Sequence, residues 1–353
     1  MLKYRPLATD HLLKMKPEMK PEEILKDLEK GKVLPVYFFC GSEKLLMEEA
    51  LKKVEALVVD PATRCFNYNL FQGSEATAET VIEVAQSIPM MAKRRLVVVK
   101  DIDKFSAAEL EKLGRYLKDP SPYTCLILIA EKADMRKGFF QGLKGSTIQF
   151  APMYENMLPQ WIRKEAESRG KKISPDAAQY LIEAIGSDLL RLKNELEKVA
   201  LYSGDRKEIT VKDVEAVSTK SKLKSIFDLT DAVGGKDAGK AVRALGDLLD
   251  NGENGVYILY MVTRHLRLVW KVKELIDAGV KGDAMAKEAG IHPFVLKGIM
   301  GQVKRFSMED LREAFPRLLE ADSSLKSGRL TDRLVLEQLF LTLAMVREGV
   351  RKP

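Results

Sequence analysis

Gly41, Ser42, Lys44 and the more distant Asp101 are the residues whose types and spacing could handle phosphate. The apolar run Leu34-Pro35-Val36-Tyr37-Phe38-Phe39 leads into Cys40-Gly41-Ser42-Glu43-Lys44-Leu45-Leu46, and helical periodicity follows from Met47 to Val58. Strand, glycine turn and helix are the skeleton of a P-loop, GxxxxGK followed by Ser or Thr. Its glycines bring backbone N–H groups to the phosphates, its Lys contacts the terminal phosphates, and its hydroxyl holds Mg²⁺. Here one glycine is present, Leu45 replaces the hydroxyl residue, and Glu43 would face the anion. This frame has lost its chemistry, so no catalytic activity, metal or other cofactor is expected. Leu96-Val97-Val98-Val99-Lys100-Asp101 has the form of a Walker B strand, but Ile102 stands where the water-polarising Glu would be. A plain strand end explains Asp101 equally. Arg191, near the start of a later helix, reads as a surface charge once the loop is degenerate.

Two further groups of residues suit binding rather than catalysis. Gln86-Ser87-Ile88-Pro89-Met90-Met91 ends a helix, and Pro89 forces a turn before the basic run Lys93-Arg94-Arg95. A Met pair at a loop tip either enters another protein's apolar pocket or packs under the sheet. Arg264, Arg267 and Lys271 fall on one helical face, either solvated or turned to a backbone or an acidic partner. No Ser-His-Asp set, carboxylate pair or Cys/His cluster can be assembled from the sequence.

The elements that must position these residues change character along the chain. Apolar strands are expected at 34–40, 64–71, 95–100, 123–130 and 147–150, with helices at 43–58, 77–87, 106–118 and near 136–144. Alternation of this kind builds a parallel sheet covered by helices, and the β-branched run 97–99 suits a strand buried on both faces. After Pro152 only helices are expected: 155–169, 174–185, 188–203 and 210–217, then a lysine-rich linker over 219–224. A second helical region follows over 225–234, 237–250, 254–278, 281–289, 292–303, 308–325 and 331–347. Four segments result: a tail or over-called start over 1–18, an α/β domain over 19–151, a small helical domain over 152–220, and a larger one over 221–353. The tandem repeat Met-Lys-Pro-Glu at 15–22 marks the first boundary.

Composition narrows the class. The 353 residues are 46% hydrophobic and 31% charged, as in a soluble globular protein, without an apolar run long enough to cross a bilayer. Three widely spaced cysteines, Cys40, Cys65 and Cys125, read as reduced, buried thiols in the cytoplasm. A net charge of +7 permits a polyanion partner without requiring one.

The order of several short segments is similar to the delta subunit family of bacterial DNA polymerase III. They include Pro35-Val36-Tyr37-Phe38-Phe39 with Gly41, Pro89-Met90-Met91 with Arg94 to Asp101, and Asp188-Leu189-Leu190-Arg191-Leu192 with Asn194 to Lys198. Phe227-Asp228-Leu229, Arg264-His265-Leu266-Arg267, Ile291-His292-Pro293-Phe294 and Leu325-Lys326-Ser327-Gly328 continue the series. The likeness runs from about Met19 to about Leu343. It implies an AAA+-like domain with a degenerate nucleotide site, a helical lid domain and a C-terminal helical collar that assembles with other subunits. It also implies a non-catalytic subunit of the clamp loader within the polymerase holoenzyme, one that opens the sliding clamp (the beta ring) for loading on primed DNA. ATPase subunits and a delta-prime-type subunit would be its partners, and no membrane is involved. The family's clamp-binding motif maps onto Gln86, Met90 and Met91, with Met-Met for the usual Leu-Phe. Arg264, Arg267, Lys271, Lys326 and Arg329 are the candidates for DNA or subunit contact. The stretch 326–330 has no aromatic residue to stack on a template base. The competing readings are an active AAA+ ATPase that loads a helicase or initiator, and a helical adaptor that binds nucleic acid alone.

Overall fold

The computed structural model describes Asp27 and residues 30–345, apart from 137, 219–221, 282 and 292. The expected tail over 1–18 and the first part of the lysine-rich linker lie outside the described residues. The chain divides into two compact units, Met1–Met153 and Tyr154–Pro353.

In the first unit, β1 (Val36–Cys40), α1 (Lys44–Val58), a helical turn α2 (Arg64–Asn67), β2 (Tyr68–Gln72) and α3 (Ala78–Gln86) come first. Next are β3 (Arg95–Lys100), α4 (Ala107–Tyr116), β4 (Thr124–Ala130), α5 (Gly138–Gln141) and β5 (Thr147–Gln149). The strands form one sheet in the order β2-β3-β4-β1-β5, every pairing parallel. Successive side chains of a strand point to opposite faces. Val36, Phe38, Val97, Val99, Leu126 and Leu128 therefore pack on one side with Val81 and Ala85 of α3 and Leu113 of α4. Tyr37, Phe39, Leu96, Val98 and Ile127 pack on the other with Met47, Leu51 and Val54 of α1. Double burial explains why these strands read as continuous apolar runs.

One expectation fails here. Residues 64–67 are helical, and β2 starts only at Tyr68. Asp60 caps the preceding 3₁₀ turn through Ala62 N–H, with Pro61 at its first position. Cys65 therefore sits on an exposed turn, while Cys40 and Cys125 are buried in β1 and β4.

The second unit begins with α6 (Leu158–Glu167), β6 (Lys172–Ile173), α7 (Pro175–Ile185), α8 (Leu189–Tyr202), β7 (Glu208–Ile209) and α9 (Val211–Ser218). The small parallel pair β6-β7 departs from the expected purely helical segment. Two residues per strand are too few to leave a periodic signal. The caps lie where the sequence puts them: Ser174 accepts from Ala177 N–H, and Asp188 accepts from Arg191 N–H. Helices α10 (Lys222–Gly234), α11 (Ala238–Asp250), α12 (Gly255–Asp277), α13 (Asp283–Ala289), α14 (Pro293–Val303), α15 (Met308–Ser327) and α16 (Asp332–Met345) complete the unit around one apolar core. Helix α10 already begins at Lys222, inside the expected linker.

Candidate functional site

The loop between α3 and β3 carries the exposed apolar residues. Pro89 is buried, while Met90 is 52% exposed, Met91 87% and Ile88 82%. The thioethers are thus not packed under the sheet. Ile88, which the sequence reading passed over, belongs to the same exposed set. Gln86 ends α3 and is exposed. The loop is held from several sides. Thr124 Oγ1 in β4 donates to Ala85 O at 2.6 Å, and an Arg95 guanidinium nitrogen donates to Ser87 Oγ at 2.6 Å and Val84 O at 3.2 Å. Asn67 of α2 accepts from Met90 N–H and donates to Met90 O, both at 2.8 Å. Met91 then takes a left-handed conformation with φ +52°, which a non-glycine residue adopts at a cost of about 1–3 kcal/mol.

At the degenerate P-loop, only Gly41, Ser42 and Glu43 separate β1 from α1. Gly41 N–H donates to Ala130 O of β4 at 3.1 Å, Glu43 N–H to Phe150 O at 3.0 Å, and Lys44 N–H to Ser42 O at 3.0 Å. Donors that a working loop would aim at phosphate are thus spent on β4, on the residue after β5 and within the turn itself. Gly41 has φ +140°, and a Cβ there would stand 2.2 Å from Phe150 O. A glycine is therefore required here by close packing alone. Lys44 is exposed and only 4.0 Å from Glu131 Oε2. Asp101 follows β3, one strand removed from β1, and is paired to Lys104 at 2.7 Å. Among the described residues, no group of three or more His, Cys, Asp or Glu side chains could hold a metal ion.

The expected basic stripe on α12 is not continuous. Arg267 and Lys271 are exposed, and Lys271 Nζ donates to Ala289 O at 3.0 Å. The Arg264 side chain is turned inward, paired to Glu183 at 3.0 Å and Glu155 at 3.2 Å. Arg264 is therefore a strut inside the second unit rather than a surface contact. A helical wheel gives a residue's angle but not where the neighbouring helices cover it. Arg191 also departs from its expected role. It pairs with the buried Glu253 carboxylate at 2.8 Å and stacks 3.7 Å above the Tyr257 ring. Lys326 is exposed and tied to Asp322 at 2.6 Å, and Arg329 is exposed just beyond the end of α15.

Comparison with known proteins decides the family. Models for the DNA polymerase III delta subunit and for its C-terminal domain match residues 37–151 and 224–343, and a middle-domain model matches 155–216. DNA polymerase III subunit delta of Bacillus subtilis is 30% identical over 94% of this chain and 99% of its own length. The chain belongs to the DNA polymerase III delta subunit family. A probable delta subunit from Aquifex aeolicus is 23% identical over 90% of the chain and 93% of its own length. The solved Bacillus subtilis clamp loader delta protein matches with a TM-score of 0.54 at 28% identity, covering 92% of this chain and 99% of that one.

Against that family the fold class stands as expected, a parallel-sheet α/β domain followed by helical segments. What the sequence reading missed is Asn67. It is fully buried, and its only advance signal was an Asn set within Phe66-Asn67-Tyr68-Asn69 beside an apolar strand.

Proposed function

We propose that this delta-family chain is the clamp-opening subunit of a bacterial clamp loader and does not itself hydrolyse ATP. In this reading it works in the cytoplasm with the beta ring, ATPase subunits, a delta-prime-type subunit and primed DNA. Met90 and Met91 enter an apolar pocket on the ring, with Gln86 at the edge of the contact and Lys93, Arg94 and Arg95 beside it. The carrying observation is the exposure of both thioethers on a loop whose backbone is fixed from within the domain. Large apolar side chains held out into water lose free energy until a partner covers them. An active ATPase would need phosphate donors at the β1–α1 turn, and Gly41 and Glu43 N–H already bond Ala130 O and Phe150 O. The helices of 222–345 are the part that would form the collar.

The test is Met90→Ala/Met91→Ala against an immobilised sliding clamp. Burying a Met side chain is worth roughly 1.5–3 kcal/mol. Losing both anchors should therefore weaken binding by about a hundred-fold to several-thousand-fold. Because both side chains are exposed in the free chain, the thermal midpoint should stay within a few degrees of the parent. A double variant that binds the clamp normally would remove the reading.

A further inference from the structure

The anchor loop has a built-in template. Asn67 closes α2 and is fully buried, which is uncommon for an amide side chain. Its Oδ1 accepts from Met90 N–H at 2.8 Å, and its Nδ2 donates to Met90 O at 2.8 Å and to Thr63 O at 3.2 Å. One planar amide thus takes both backbone groups of one residue, as a neighbouring strand would. The next residue is Met91, at φ +52°. We propose that Asn67 is the positioning residue that presets the anchor loop for the clamp. The inference rests on the anchor reading above but concerns a residue outside the motif.

The physical consequence is specific. With Asn67 in place, the free chain already holds Met90 and Met91 in the binding geometry. Without it the loop spreads over several conformations, and apparent affinity falls by the fraction still competent. The loss appears mainly in the association rate, because the complex, once formed, is held by the same thioether contacts. A role confined to global stability would move the melting point and leave clamp kinetics unchanged at temperatures well below it.

The test uses the full chain and an immobilised sliding clamp, with Asn67→Ala, Asn67→Asp and Met90→Ala/Met91→Ala. Asn67→Ala should bind about ten- to a hundred-fold more weakly, mostly through slower association. Asn67→Asp should do no better, since a carboxylate oxygen then faces the carbonyls of Met90 and Thr63. Folding is read from thiols: Cys65 is exposed and Cys40 and Cys125 are buried, so one fast-reacting thiol marks a native variant. Hydrogen exchange on the unmodified chain gives a measurement that needs no variant. Met90 N–H should exchange slowly despite its surface position. Wild-type association by a folded Asn67 variant overturns the proposal, as does a Met90 amide that exchanges at the rate of a free loop. Retained binding by the Met90/Met91 variant instead removes the anchor reading, whatever the Asn67 variants do.

Discussion

Gly41 and Lys44 lie three residues apart and answer to different forces. A Cβ at Gly41 would meet Phe150 O at 2.2 Å, and φ +140° disfavours any L side chain. Gly41→Ala should therefore destabilise the first unit by about 2–4 kcal/mol, read from urea unfolding. The exposed Lys44 side chain makes one long contact to exposed Glu131, so Lys44→Ala should change stability by less than about 0.5 kcal/mol. Neither the parent nor this variant should respond to a fluorescent ATP analogue. A parent that binds the analogue, with binding lost in Lys44→Ala, would restore the ATPase reading. Cys125 makes the related point about burial, which pushes its thiol up to about 12 and leaves it unreactive in the fold.

Among the elements, α10, α12 and α14 share a polar relay at the edge of their apolar core. His265 of α12 and Gln302 of α14 meet at 2.6 Å, and Gln302 donates to Asp231 of α10 at 2.9 Å. Burial holds the imidazole below its ordinary range, and the Arg264 charge adds to that, while the Gln302 bond and Asp231 act the other way. The unfolded chain takes up this proton near pH 6.5, where the folded chain stays neutral. The unfolded state then binds more protons, so stability falls as pH drops below about 6.5. Burial raises the Asp231 carboxyl above its ordinary range, so that group works in the opposite sense. Its contribution is fully present only below the ordinary carboxylate range of about 4 and is lost as pH rises through the raised value. Unfolding free energy should therefore decline between about pH 7 and pH 6, and His265→Gln should flatten the decline. An unchanged slope in that variant would count against His265 as its source.

At the scale of the whole molecule, the helices of 158–218 and those of 222–345 belong to one compact unit. Arg264 reaches Glu183 and Glu155, Arg191 reaches Glu253, and Tyr257 OH donates to Ile185 O at 3.2 Å. Gly186 lets the Tyr260 ring approach, since a Cβ there would stand 2.7 Å from its Cε1. Breaking one partner of a buried ion pair costs about 3–5 kcal/mol. A fragment of residues 154–353 should therefore melt in one calorimetric transition. A fragment starting at 222 loses Glu183 and Arg191 and should melt at a lower temperature. Two resolved transitions in the longer fragment would mean that the two sets of helices unfold independently.

Local sequence pattern already specifies the parallel sheet, the change to helices near residue 152, the cap positions and the incomplete P-loop pattern. Each is a local pattern: alternation or continuity of apolar residues, a Ser or Asp before a helix, a missing glycine and hydroxyl. It also marked Met90 and Met91 as an unusual pair, because Pro89 interrupts the chain just before them. Whether that pair faced the core or the solvent was left to tertiary structure, as were the partners of Asn67, Arg191 and Arg264. Those contacts join residues 23, 62 and 81 positions apart. Nothing near any of these residues in the chain encodes the distance to its partner. Only packing of the helices and the sheet brings donor and acceptor together, and it decided that Arg264 is a half-buried strut while Met91 stands in water.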